Sequence, residues 1–132
     1  MKIIIIIIFT TLVSCGSFIK PENDLIIEGK SIGLIELGQK YHSNLTTSEF
    51  NFILNNDSLY TELSTNSSNY ITTKGIKVGD SVSLVYKKYG ENPKKLNINK
   101  GKVTIGQLDN VLIFSNIKFF IENNKVKTIS IF

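Results

Sequence analysis

The chain of 132 residues contains no arginine, alanine or tryptophan, and only one cysteine, one histidine, one methionine and two prolines. A single cysteine rules out a disulfide within the chain. With Cys15 and His42 as the only thiol and imidazole, a structural zinc site lacks its usual ligands, so no metal is expected. The absence of arginine removes the planar guanidinium fork that reads phosphate and guanine bidentately, which argues against a nucleic-acid partner. No apolar run reaches the roughly 20 residues that a membrane-spanning helix needs. Chemistry-bearing constellations are equally scarce. Asp80 and Ser81 suit a helix cap better than a catalytic pair. Glu28 and Glu36 are separated by a glycine-bearing strand region, and Gly29, Gly33 and Gly38 do not form a phosphate cradle. The expectation is a protein that is not an enzyme and holds no cofactor, with a hydrolase as the reading that clustered polar residues in a pocket would favour.

What is present is apolar enough to fold: 42% of residues are hydrophobic and 20% charged, a composition suited to one packed domain. All fifteen basic residues are lysine, and the net charge of +4 conceals an asymmetry. Residues 21–70 hold two lysines against seven acids, a net of −5; residues 71–132 hold eleven lysines against four acids, a net of +7. Lys87, Lys88, Lys94, Lys95, Lys100 and Lys102 crowd the basic half and form the candidate contact surface for anionic lipid, cell-wall polymer or an acidic partner.

The N-terminus has its own pattern. Met1-Lys2 precedes an apolar stretch from Ile3 to Val13 with six consecutive isoleucines, and Cys15 follows a short polar step. The eleven-residue stretch, apolar but for Thr10 and Thr11, fits the hydrophobic region of a secretory signal, roughly 7–15 residues long. Leu12-Val13-Ser14-Cys15 resembles the lipobox of bacterial lipoprotein signal peptides. That resemblance implies diacylglyceryl transfer to the Cys15 thiol, cleavage between Ser14 and Cys15, and N-acylation of the new terminus. Acyl groups of the palmitate type would then tether the chain to a membrane, two or three of them holding stably where one does not. The same resemblance, with Gly16 in place of the aspartate that retains some lipoproteins at the inner membrane, implies an outer-membrane lipoprotein of the cell envelope facing the periplasm, with a Gram-positive surface lipoprotein as the alternative. The expected organisation is a signal peptide at 1–14, a lipidated tether at 15–23 and a single domain at 24–132.

Within that domain the short apolar runs 25–27 and 32–37, broken by glycines, read as strands. Phe50 to Leu63 reads as a hairpin turning at Asn55-Asn56-Asp57, with Phe50, Phe52 and Leu54 alternating on one arm and Leu59, Thr61 and Leu63 on the other. The clearest helix follows Asp80-Ser81, either of which can cap it. Val82, Val85, Tyr86 and Tyr89 lie on one face, Lys87 and Lys88 near its end, Gly90 at its exit and Pro93 beyond. Residues 111–114 and 117–121 read as strands, and a last hairpin turns at Asn123-Asn124 to a strand whose Phe132 is expected in the core. "IELGQK" at 35–40 echoes "IKVGDS" at 76–81, and "FILNND" at 52–57 echoes "FIENNK" at 120–125, the signature of a degenerate tandem repeat. The expected fold is therefore α+β: an antiparallel sheet with one or two helices packed on one face.

Ile76, Val78, Gly79, Asp80, Ser81, Tyr89, Gly90, Pro93, Phe119 or Phe120, Val126 and Ile129 together resemble the pattern of small barrel-assembly accessory lipoproteins, the BamE/SmpA/OmlA type. The resemblance covers residues 75–132. It implies a fold like that of the β-lactamase inhibitor protein and a role as an envelope-assembly accessory or inhibitor-like protein. The acidic first half and the missing run of Trp or Tyr in the middle strands depart from that pattern. On the residues themselves, the expectation is a non-enzymatic binding or scaffolding module with a protein partner in the envelope.

Overall fold

The computed structural model describes residues 22–44, 48–96 and 110–132. These residues are mostly β, in two sheets that are largely antiparallel, with one short α-helix. The sequence suggests one sheet, and the finding is two. The smaller sheet has the order β3-β2-β1-β6, from Leu25–Ile27 (β1), Ser31–Ile32 (β2), Ile35–Glu36 (β3) and Ile71–Thr72 (β6). Gly29 and Gly33, both at positive φ, turn the chain between its first three strands. Its β1–β6 pair is parallel, a non-local pairing that no short-range pattern announces. Glu22 and Asn23, assigned to the tether by sequence, begin a 3-10 turn that leads into β1.

The larger sheet has the order β4-β5-β10-β9-β8-β7, built from Phe50–Leu54 (β4), Tyr60–Thr65 (β5), Lys94–Leu96 (β7), Asn110–Phe114 (β8), Ile117–Glu122 (β9) and Lys125–Ile131 (β10). One face supplies the core. Ile117, Phe119 and Ile121 alternate inward along β9, and their partners Ile131, Ile129 and Val126 on β10 are buried with them. Inside the sheet β5 and β10 run antiparallel, with Ser64 opposite Ser130. The β9–β10 turn is the expected Asn123-Asn124, with φ of 51° and 59°, the left-handed pair that a tight hairpin turn demands.

Two sequence expectations need correction here. In the β4–β5 hairpin the buried residues of the second arm are Tyr60, Leu63 and Thr65, not the alternating set Leu59, Thr61 and Leu63. The register jumps from Ile53↔Glu62 to Leu54↔Tyr60, so Thr61 is an extra residue and the phase slips by one. Phe132, expected in the core, is 38% exposed just past the end of β10, with the Lys118 ammonium 4.5 Å from its ring centroid.

The helix α1 runs Val82–Tyr89, as the sequence predicts. Ser81 is its N-cap, its hydroxyl accepting from the Leu84 N–H, while Asp80 serves the preceding turn by accepting from the Lys77 N–H. Gly90 ends the helix at φ 102° with its N–H still donating to Tyr86 O. Val85 is fully buried, and the Tyr89 ring lies 5.0 Å from Phe119 and 5.3 Å from Phe114.

Two glycine turns share one bonding pattern. Gly38 N–H donates to Tyr60 O and Gly79 N–H to Val126 O, both at 2.8 Å. Tyr60 N–H donates back to Gln39 O, and Val126 N–H to Asp80 O. Tyr41 N–H reaches Ser58 O, and Val82 N–H reaches Asn124 O. Within each turn a side chain closes the loop: Gln39 Oε1 accepts from Glu36 N–H and Asp80 Oδ2 from Lys77 N–H.

Candidate functional site

A cleft of about 450 Å³ opens where the two sheets meet α1. Glu28 reaches it from the end of β1, Lys74 from the turn after β6, Tyr89 from the last position of α1, and Ser115 and Asn116 from the β8–β9 turn. Gly29 makes this junction close. A Cβ there would lie 2.7 Å from Asn116 Nδ2, and its φ of +68° is one that side-chain-bearing residues resist. The β1 turn and the β8–β9 turn are thereby held in direct contact at one wall.

Polar groups in the cleft are organised around Glu28. The Tyr89 hydroxyl donates to Glu28 Oε1, and the Thr73 hydroxyl donates to Oε2 at 2.7 Å. Lys74 Nζ sits 4.4 Å from the centroid of the Tyr89 ring, a cation over the negative face of the π-system. The Tyr89 phenol is pushed well above the ordinary tyrosine range, first by burial and then by its bond to the Glu28 carboxylate, against a smaller opposing effect from Thr72. It therefore stays protonated and keeps donating at any physiological pH. Phe114 and Ile117 supply apolar wall, and the amides of Asn92 and Asn116 add donors and acceptors. One carboxylate, one ammonium, amides and a ring suit a ligand held by hydrogen bonds over an apolar wall.

A second polar cluster lies on the face of the larger sheet opposite the buried Phe119 and Ile129. Lys118 Nζ is 2.8 Å from Glu62 Oε2, and the buried Ser130 hydroxyl donates to Glu62 Oε1 at 2.7 Å. Burial alone would raise the Glu62 pKa, but the bonds from Lys118 and Ser130 and the Lys118 charge outweigh it and hold the carboxyl below its usual range. Both Glu62 oxygens face these two donors, which gives the cluster a structural role at the seam between β5 and β10.

The lysine surface read from sequence is divided by the fold. Lys87 and Lys88 are exposed on α1. Lys94 and Lys95 are neighbours on β7 and so project to opposite faces of the sheet. Lys95 Nζ lies 5.5 Å from the centroid of the Tyr86 ring and lines a shallow pocket with Tyr86 and Glu91. Lys94 faces the other way. Ser14, Cys15, Lys100 and Lys102 lie outside the described residues. His42 is exposed. Among the described residues no three His, Cys, Asp or Glu side chains cluster as metal ligands, and no helix is long and apolar enough to cross a membrane.

From the sequence Glu28 is set aside as carrying no chemistry, and its companions draw no notice. Tyr89 reads as a core position of an amphipathic helix, and Lys74 as one more lysine of the basic half. Their meeting depends on β1 pairing with β6, so nothing local signals it. Compared with known protein families, curated proteins and solved structures, the chain has no significant match in any of the three.

Proposed function

We propose that this chain is a lipid-anchored protein of the bacterial envelope, placed in the outer membrane facing the periplasm, whose folded domain is a non-enzymatic binding or scaffolding module. The observation that carries the anchor is Leu12-Val13-Ser14-Cys15, whose first two residues close the eleven-residue stretch Ile3 to Val13. Diacylglycerol on the Cys15 sulfur and an acyl group on its amine make the membrane one partner; an envelope protein is the other. The test is metabolic labelling of the full chain with a palmitate analogue in a bacterial host. The native chain should label and sediment with membranes, and Cys15→Ser should lose both properties. Continued labelling of Cys15→Ser defeats the assignment.

For binding, the cleft around Glu28, Lys74 and Tyr89 is the principal candidate on the domain, with the α1–β7 side around Lys87, Lys88 and Lys95 next to it. The Glu28–Tyr89 bond, kept in place by a phenol that does not ionise, gives the cleft a fixed hydrogen-bonding pattern before any ligand arrives.

The second reading is an assembly-accessory or inhibitor-like protein on a degenerate tandem repeat, with α1 packed on one sheet face. It is favoured by the matched hydrogen bonds of the Gly38 and Gly79 turns and by the register between β5 and β10. If Leu63, Ser64 and Thr65 correspond to Ile129, Ser130 and Ile131, the β5–β10 pairing maps onto itself about Ser64 and Ser130. The ring contacts of Tyr89 with Phe114 and Phe119 support the placement of the helix. On this reading the first copy is stripped down and the second holds the helix and the extra strands.

A further inference from the structure

The larger sheet ends in two edge strands of opposite character. β7 follows Pro93 and carries Lys94 and Lys95, residues that keep an edge from pairing with a foreign strand. β4, Phe50-Asn51-Phe52-Ile53-Leu54, has no charge and no proline along five residues. Its outer edge is set by its own hydrogen bonds. The carbonyls of Glu49, Asn51 and Ile53 accept the hydroxyls of Thr65, Ser64 and Thr61, all on β5. Those carbonyls therefore face β5. Backbone direction alternates along an antiparallel strand, so the N–H and C=O of Phe50 and Phe52 face away from it. Among the described residues no strand pairs with that side.

Side chains add to the case. Ile53 is 57% exposed on the face away from the core, beside Asn51. The strand is flanked by the exposed Asp57 and by Glu49, whose half-buried carboxylate already accepts from Ser67, Asn69 and Tyr70, within the half of the chain whose net charge is −5. A second copy pairing antiparallel through its own β4 would bring these acidic ends together, which like charges disfavour. A cationic strand meets the opposite sign.

We propose that β4 is a docking edge for one extended, lysine-bearing segment of a protein partner, which adds to the larger sheet as a seventh strand. Phe50 and Phe52 supply two N–H donors and two C=O acceptors to its backbone. The partner's apolar side chains lie beside Ile53, and its cations approach the exposed Asp57 past the end of β4. This surface is distinct from the cleft and from the lysines of α1.

Three synthetic nonapeptides test it against the whole chain in detergent: alternating Lys and Val, alternating Glu and Val, and the Lys/Val peptide N-methylated at alternate amides. The Lys/Val peptide should bind saturably by fluorescence anisotropy and shift the backbone amide resonances of residues 50–54. The Glu/Val and N-methylated peptides should bind about tenfold more weakly or not at all. Ile53→Lys, at a solvent-facing position, should weaken Lys/Val binding about tenfold while leaving the circular dichroism unchanged. Equal binding of the Glu/Val peptide, shifts confined to the cleft or β7, or no saturable binding up to about 1 mM overturns the proposal. So does a concentration-dependent dimer in sedimentation that Ile53→Lys abolishes, because the edge then belongs to a second copy.

Discussion

The Gly38 turn and the Gly79 turn begin alike and end differently. Each places a glycine at positive φ, donates from that glycine to the strand after a hairpin, and returns a bond from that strand. Three residues later they part. After Gly79 come Asp80 and Ser81, and Ser81 caps an eight-residue helix by accepting the Leu84 N–H. After Gly38 come Gln39 and Lys40; Lys40 bridges Leu59 just as Ser81 bridges Lys125, but no helix follows it. A lysine ammonium has no acceptor to offer a first helical turn, and Tyr41-His42-Ser43-Asn44 lacks an apolar stripe. One shared turn thus leads to a helix only where a cap and an amphipathic face follow it. The cleft depends on that difference, because α1 is what carries Tyr89 to Glu28.

The largest effect that separates the two regions should come from Tyr89→Ala. It removes a ring lodged between Phe114 and Phe119 and strips Glu28 of a donor, so thermal or urea unfolding should show a loss of about 3 kcal/mol. A loss within experimental error would mean that α1 is not anchored through this ring.

Next in size are Gly38→Ala and Gly79→Ala. Both glycines have open space around the missing Cβ, so the cost is backbone strain alone, about 1–2 kcal/mol at each site. Equal penalties sharpen the comparison, whereas a penalty at only one site breaks it.

Smaller still is the cap. Ser81→Ala should cost about 1 kcal/mol and lower helical circular dichroism, while Lys40→Ala at the matching place stays within about 0.5 kcal/mol. A Lys40→Ala penalty equal to that of Ser81→Ala would mean that the first turn holds a cap of its own.

The smallest effect concerns the seam between β5 and β10. Glu62 has a folded-state pKa below its unfolded value, so its contribution is present above the unfolded pKa and is lost as pH falls through the folded one. Solvent reaches the pair, which limits that contribution to less than about 1 kcal/mol. Glu62→Gln should therefore flatten the acid limb of the stability–pH curve between about pH 5 and pH 3 and leave its alkaline limb unchanged. An unaltered acid limb would show that Lys118 and Ser130 do not hold this carboxylate.

Much of this fold is legible in the residues because its signals are local. Asp80-Ser81, the period of Val82, Val85 and Tyr89, and Gly90 mark α1, and the structure chooses Ser81 of the two possible caps. Asn123-Asn124 marks its hairpin because asparagine tolerates positive φ. The β4–β5 hairpin is legible in its turn but not in its phase, since a bulge at Thr61 leaves no local trace and shifts which side chains are buried. Phe132 looks like core by hydrophobicity alone, yet the strand ends at Ile131 and leaves the ring partly exposed.

The candidate site falls on the other side of that line. Glu28, Lys74 and Tyr89 are far apart in sequence, and they meet because β1 pairs in parallel with β6 while α1 turns its last residue toward both. By itself the sequence determined the caps, the turns and the alternation of most strands, each fixed by steric limits and hydrogen-bonding needs over a few residues. Only the tertiary structure decided that there are two sheets, that Lys94 and Lys95 face apart, and that a carboxylate, a phenol and an ammonium share one cleft. Those outcomes follow from the non-local burial of apolar surface, which the spacing of neighbouring residues does not encode.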